Sequence, residues 1–345
     1  MGRSYGMRRL RRLLWISLAT LLVLGGLGAG GLYFYQASLD GDIVRAPAAL
    51  PTSAEEEKRR PQPKPGDGET WLLVGTDRRA ESATTGEDAK AKLWQPGSQR
   101  TDTIMLAHLS EDREHAAIVS IPRDSWVSIP GRGRAKINAA FSWGGPALLV
   151  KTIESLTGIR VDHYAAIDFK GFATAVDAVD GVDVEISKTV RDTNSGITWT
   201  AGRHHLDGEQ ALRFVRQRYN LPGGDFDRIK RQQALLKALS DRVLSAGTLT
   251  NPVKVDGLLR AVTRSITVDD GVTPGMLRGL LTDLAGLDSS GFVTMPTRGT
   301  GMEGPQSVVY LDDAKTKALS EAIKADRARD YLKKTGTANQ VDEVR

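Results

Sequence analysis

Leu206–Leu236, LDGEQALRFVRQRYNLPGGDFDRIKRQQALL, carries five arginines, at 213, 216, 218, 228 and 231, around a Gly-Gly loop. A basic run of this kind is ordinarily a solvated face, and only its phase argues otherwise. From Asp225 the spacing predicts a helix in which Asp225, Arg228 and Gln232, at i, i+3 and i+7, share one face. That face continues as Leu235, Leu236, Leu239 and Val243, while Lys230, Lys237 and Asp241 fall opposite. The polar trio therefore heads a core-facing stripe, and polar groups turned inward cost free energy unless they meet partners. Before the loop, Arg216 and Arg218 at i, i+2 share a side if that segment is extended. Arginine pairs converging on a small space suit an anion with several oxygens, such as a phosphate or pyrophosphate.

Upstream, Leu13–Tyr35 is 23 residues without a charge, preceded by Arg3, Arg8, Arg9, Arg11 and Arg12 and followed by Asp40 and Asp42. This predicts a cytoplasmic basic segment at 1–12, an uncleaved transmembrane anchor at 13–35, and the rest of the chain outside the cytoplasm. Phe34 and Tyr35 stand where a signal-peptide cleavage site needs small residues. Residues 36–70, with Pro47, Pro51, Pro61, Pro63 and Pro65 around a charged run, read as a semi-extended linker. The formal charge of +5 comes without an aromatic-interleaved basic strip or zinc-finger spacing, so nucleic acid is not an expected partner. The absence of cysteine removes disulfides, a thiol nucleophile and Cys-ligated metals.

The globular domain is expected at 71–325. Strand-like runs at 71–75, 102–109, 116–121, 164–167, 182–186, 292–295 and 308–311 alternate with helical patterns after Pro146, at 169–179, near 253–262, and at 274–284 and 313–325. That alternation predicts an α/β layered domain with a mixed central β-sheet flanked by helices. Residues 326–345 read as a polar, frayed tail. Asp77 and Asp102 sit at predicted strand ends beside Arg79 and Arg100. Two carboxylates brought together there repel unless arginines or a metal intervene, and Mg²⁺ takes hard oxygen ligands of this kind. Arg123, in Pro122-Arg123-Asp124, follows a strand and a proline; paired with Asp124 it would be merely a salt bridge. The five histidines lack metal-ligand spacing.

Arg-x-Arg at 216–218, the Asp225/Arg228/Gln232 frame, Gly75-x-Asp77-x-Arg79, Arg100-x-Asp102-Thr103, Pro122-Arg123-Asp124 and Lys136-Ile137-Asn138 together resemble the LytR-CpsA-Psr family of cell-envelope glycopolymer ligases, across roughly 71–239. The resemblance implies Asp77 and Asp102 as Mg²⁺ ligands. It implies a pyrophosphate site of Arg79, Arg100, Arg123, Lys136, Arg216, Arg218, Arg228 and Gln232, and an apolar tunnel for a polyprenyl chain. The implied reaction moves a glycopolymer from a polyprenyl-pyrophosphate carrier to peptidoglycan through a phosphodiester, at the outer face of the cell membrane. Asp124 and Asp225 are the candidates for general base. A polyprenyl-pyrophosphate hydrolase and a non-enzymatic envelope sensor or attenuator are the competing expectations. The polymer (teichoic acid, capsule or arabinogalactan) is left open.

Overall fold

The computed structural model describes residues 38–46, 48–63, 66, 68–77, 100–217, 219–245, 252–284 and 291–344. The chain forms two compact units, 1–42 and 43–345; of the first, the described residues 38–42 are helical. The expected anchor at 13–35 lies outside the described residues, among which no helix is long and apolar enough to cross a membrane.

In chain order the second unit opens with β1 (Val44–Arg45), α1 (Ala54–Arg59), β2 (Glu69–Asp77), β3 (Arg100–Leu109) and β4 (Ala116–Ser120). A hairpin of β5 (Trp126–Ile129) and β6 (Gly133–Lys136) leads into α2 (Asn138–Thr157), β7 (His163–Asp168) and α3 (Phe169–Asp177). Then come β8 (Val182–Ile186), β9 (Val190–Arg191), β10 (Thr198–Trp199), β11 (Gly202–Leu206), α4 (Gly208–Arg216) and α5 (Asp225–Ser245). The chain continues with α6 (Pro252–Ser265), β12 (Ile266–Val268), α7 (Pro274–Leu284) and β13 (Phe292–Thr294). It closes with β14 (Thr297–Glu303), β15 (Gln306–Leu311), α8 (Asp313–Lys324) and α9 (Ala328–Thr335).

Seven strands form a mixed sheet in the order β1-β12-β7-β2-β3-β4-β13, as the alternating pattern predicts. β2 pairs antiparallel with β3 and parallel with β7. Strand periodicity sends alternate residues to opposite faces. Leu72, Val74, Ile104 and Leu106 pack with Phe141 and Val150 of α2, Leu319 of α8 and Leu332 of α9. Trp71, Met105, Ala107 and Leu109 pack with Val176 of α3, Phe214 of α4, Leu235 of α5 and Leu277 of α7. The result is three layers, with helices on both faces. β8 does not join this sheet; it pairs with β11, and its Ile186 bridges to Val344 near the C-terminus.

Three expectations differ from the structure. Residues 43–63 are not a tether: β1 is an edge strand pairing with β12, and Ala46 and Ala49 are buried. Arg60, 8% exposed, donates to Glu154 of α2 at 2.8 Å and also to the carbonyl oxygen of Val161. The prolines and charges of 36–70 conceal short elements that dock on a pre-existing core, which no local pattern announces. The tail at 326–345 is not frayed: α9 forms, and Leu332, Val341 and Val344 are buried. Asn339 donates to the side chains of Gln233 at 2.7 Å and Thr294 at 2.8 Å. The helix expected after Pro146 begins earlier, at Asn138, and breaks at Gly144-Gly145, where Gly145 has φ 64° ahead of the proline.

Candidate active site

α3 and α4 carry one wall of the site. Asp207 caps α4 by accepting from the backbone N–H of Gln210, and the Gln210 Oε1 in turn accepts from the backbone N–H of Asp207. Gly208 lets α4 seat against α3: a Cβ there would lie 2.2 Å from the carbonyl oxygen of Ala173. At the far end Arg216 is the last helical residue, not extended as the i, i+2 reading required, and Gln217 leaves the helix with ψ 132°. The Arg216 guanidinium lies over the Phe169 ring, 4.0 Å from its centroid. Arg218 lies outside the described residues, as do Arg79 and the side chains of Asp77 and Arg100.

Arg231 holds the following loop in place. It is fully buried, stacks on Phe214 at 4.3 Å, and donates to Gln217 Oε1 at 2.7 Å and to Phe214 O at 3.3 Å. Burial pulls its pKa down to about 10, against the opposing pull of Asp227 and Asp192, so it stays cationic at neutral pH. The sequence reading counted this arginine without seeing its role. The signal was available: with the α5 stripe pointing inward, position 231 falls beside it rather than opposite.

α5 runs as the spacing predicts, from Asp225. Its Arg228, Gln232, Leu235, Leu236 and Leu239 line one cavity of ≈ 710 Å³ between the sheet and α3, α5, α6 and α7. The rest of the wall is mostly aliphatic: Leu73, Met105, Ala165 and Ile167 from the sheet, then Phe172, Val262, Leu277 and Leu280. The stripe that would ordinarily be closed core thus borders a void, and sequence alone cannot separate the two cases. Asp102, Asp168, Arg213, Arg216, Gln217 and Arg228 are among its polar residues. Arg228, 2% exposed, pairs with Asp225 Oδ1 at 2.6 Å.

Arg123 forms the hinge of the cluster. It is presented by a turn in which Ser125 N and Ser125 Oγ both donate to Pro122 O, at 2.9 and 2.6 Å. Its Nη1 is hydrogen-bonded to Asp102 Oδ1, and its Nε lies 3.8 Å from both Asp124 and Asp225. The salt-bridge alternative with Asp124 therefore holds only loosely, and Lys136 takes Asp124 instead, at 3.0 Å. Asp225 Oδ2 is buried and makes no hydrogen bond among the described residues.

For a metal, the backbone register is the useful observation. Asp77 faces Arg100 across β2 and β3, and the register shift between Gly75 and Thr76 leaves Asp102 as the unpaired residue of a bulge. Carboxylates are the hard-oxygen ligands that Mg²⁺ takes, and Asp102 lines the cavity. The group of three potential ligands found among the described residues, Asp112, Glu114 and His115, lies elsewhere on the surface and includes no site residue.

An aliphatic cavity whose polar end carries arginines and carboxylates is the geometry of a pocket for an amphiphile with an anionic head group. The LytR_cpsA_psr family model matches residues 44–325, and the chain belongs to the LytR-CpsA-Psr family. It is 38% identical to the Corynebacterium glutamicum cell wall biosynthesis protein LcpA, over 71% of this chain and 54% of that protein. The probable cell wall biosynthesis protein LcpB of the same organism is 40% identical, over 59% and 49%. The chain thus spans about half the length of the curated relatives it matches. Among solved structures, Bacillus subtilis TagV is 25% identical with a TM-score of 0.61, over 75% of this chain and 96% of that one. TagT bound to LI-WTA is 24% identical with a TM-score of 0.59, over 75% and 90%, a likeness that speaks for the fold.

Proposed function

We propose that this protein is a membrane-anchored phosphotransferase that moves a glycopolymer from a polyprenyl-pyrophosphate carrier to peptidoglycan, leaving a phosphodiester link. The observation that carries the reading is the ≈ 710 Å³ aliphatic cavity ending at Asp102, Arg216 and Arg228. An apolar chain fills such a wall by burial, and the arginines take the charged head. Relatives named for cell wall biosynthesis, and TagT with LI-WTA bound, support the choice of a wall polymer.

Phosphoryl-type transfer needs positioning and charge neutralisation more than covalent help. In this reading Arg123, Arg216, Arg218 and Arg228 grip the pyrophosphate oxygens, with Arg79, Arg100, Lys136 and Gln232 as further donors. Asp77 and Asp102 would hold Mg²⁺, which would supply further charge neutralisation. The acceptor hydroxyl oxygen bonds to the glycopolymer-linked phosphorus as the bond to polyprenyl phosphate breaks. Its proton passes to Asp225, whose Oδ2 makes no hydrogen bond among the described residues. Asp124, tied to Lys136, orients that cation and Arg123.

The test is conversion of lipid-linked polymer by the full chain with and without peptidoglycan, in Mg²⁺ and in excess chelator. Expected are Mg²⁺-dependent linkage with acceptor present, and its loss in Asp102→Ala and Asp225→Asn. Release of free polymer that acceptor does not divert makes the protein a hydrolase. No turnover of any lipid-linked pyrophosphate removes the enzymatic reading, and full activity in chelator removes the metal.

A further inference from the structure

A second concavity, of ≈ 580 Å³, is lined by Arg123, the partner of Asp102. Asp102 lines the aliphatic cavity while its partner Arg123 lines this one, so the two share a single ion pair as their common wall. The linings differ in kind. The second is polar and aromatic, with Trp126, Trp143, Arg134, Asn138 and Gln306 among its residues. Trp143 is 40% exposed, one of few large apolar side chains so placed among the described residues.

The frame of this groove is built, not incidental. The backbone N–H of Asn138 donates to Arg123 O at 3.2 Å, and that of Ile137 to Ser125 O at 2.8 Å. On the other flank, Val309 N donates to Asp124 O at 2.9 Å, anchoring the β14–β15 hairpin that carries Gln306. Arg134 donates to the carbonyl oxygen of Trp126 at 3.1 Å, tying the two strands of the β5–β6 hairpin. The start of α2 and the β14–β15 hairpin are thus fastened to the short segment that presents Arg123.

We infer that this groove is the saccharide subsite for the acceptor: a glycan strand of N-acetylated sugars lies against Trp143 and Trp126, with its amides and hydroxyls meeting Asn138, Gln306 and Arg134. The geometry of displacement selects the acceptor over the donor's own sugars. In an in-line displacement the attacking and leaving oxygens lie on opposite sides of the phosphorus. With the polyprenyl phosphate leaving on the aliphatic side of the Asp102–Arg123 pair, the attacking hydroxyl comes from the groove side. The indole faces of Trp126 and the exposed Trp143 suit sugar rings, with Asn138, Gln306, Arg134 and Lys136 as the donors around them. The inference rests on the function proposed above, and deepens it.

The experiment uses the detergent-solubilised full chain and, as probe, a soluble peptidoglycan tetrasaccharide carrying stem peptides. Calorimetric titration without donor is expected to show binding that Trp143→Ala weakens roughly fivefold to tenfold, the worth of one aromatic stack. Trp143→Phe is expected to recover most of it, which separates stacking from misfolding. Gln306→Ala, on a different element, is expected to weaken the tetrasaccharide by a smaller factor. In transfer assays the acceptor KM is expected to rise by a similar factor in Trp143→Ala. Equal tetrasaccharide affinity in wild type and Trp143→Ala overturns the assignment, as does a rise in donor KM in place of acceptor KM. Absence of all donor turnover would refute the proposed function, while the binding arm would still decide whether the groove holds glycan.

Discussion

Arg216 offers the sharpest test of the anion clamp, because its stability role and its binding role differ in size. The side chain is exposed and stacks on Phe169 at 4.0 Å, with no ion pair among the described residues. An exposed cation–π contact is worth roughly 0.5–1 kcal/mol, so Arg216→Ala should lower the melting temperature by only about 1–4 °C. If the guanidinium grips a pyrophosphate, its charge-assisted bonds are worth about 1.5–3 kcal/mol. At ~1.4 kcal/mol per tenfold, kcat/KM should fall by roughly one to two decades. Arg216→Lys keeps the charge over the ring but loses the planar fork, and should recover little activity. Phe169→Leu should lose less, since it frees the guanidinium to wander without removing it. The contrast is Arg228, which is 2% exposed and paired with Asp225 at 2.6 Å. Breaking a buried pair costs about 3–5 kcal/mol, so there activity and stability should fall together. Melting curves and transfer kinetics on purified Arg216→Ala, Arg216→Lys and Arg228→Ala decide the matter. Wild-type kinetics in Arg216→Lys would refute the clamp.

Three further outcomes are expected. Arg60→Ala should destabilise the domain by about 3–5 kcal/mol, because it leaves Glu154 buried without its bidentate partner; denaturant unfolding measures this, and a change below about 1 kcal/mol would restore the tether reading of 36–70. Asp269 is held below the usual carboxylate value of 3.8: burial pushes it up, but bonds from His163 and from the backbone N–H groups of Tyr164 and Gly271 outweigh that. Its contribution is therefore complete above pH 3.8 and is lost as pH falls through the depressed folded-state value, so the melting-temperature gap between wild type and Asp269→Asn should be widest at neutral pH and close in acid. A gap that widens in acid would contradict this. Finally, the uncharged 13–35 span behind its arginines predicts that a reporter fused after Arg345 is active only if it is of the extracytoplasmic type; protection of that terminus from protease in intact spheroplasts would reverse the topology.

The sheet was readable because its strands are long enough to declare a period. Leu72 and Val74 alternate with Trp71 and Leu73 whatever surrounds them, and each set finds its own helical layer. α5 was readable for the same reason: Arg228, Gln232, Leu235, Leu236 and Leu239 repeat at helical spacing and line one cavity together. What escaped were elements too short to have a period. β1 is two residues long and α1 six, and both exist because β12 and α2 were there to receive them. The C-terminal segment is similar: Val341 and Val344 are isolated apolar residues in polar sequence, ordered by docking rather than by propensity.

The site divides along the same physical line. Charge clusters are legible as composition, but which carboxylate an arginine meets is a matter of tertiary geometry. Pro122-Arg123-Asp124 suggested a local pair, yet Arg123 reaches 21 residues back to Asp102, and Asp124 turns to Lys136. This exchange matters for function. A guanidinium satisfied by its sequence neighbour would belong to one surface, whereas one bonded to Asp102 links the groove that Arg123 lines to the cavity that Asp102 lines. Removing Asp102 would therefore not only weaken a metal site; it would free Arg123 to fall toward Asp124 and Asp225 and change the wall between aliphatic cavity and aromatic groove. Asp102→Asn, which keeps the shape and one acceptor, should preserve that wall while losing the carboxylate charge. If Asp102→Asn and Asp102→Ala differ in acceptor affinity but not in metal dependence, the wall and the metal site are separate functions of one aspartate.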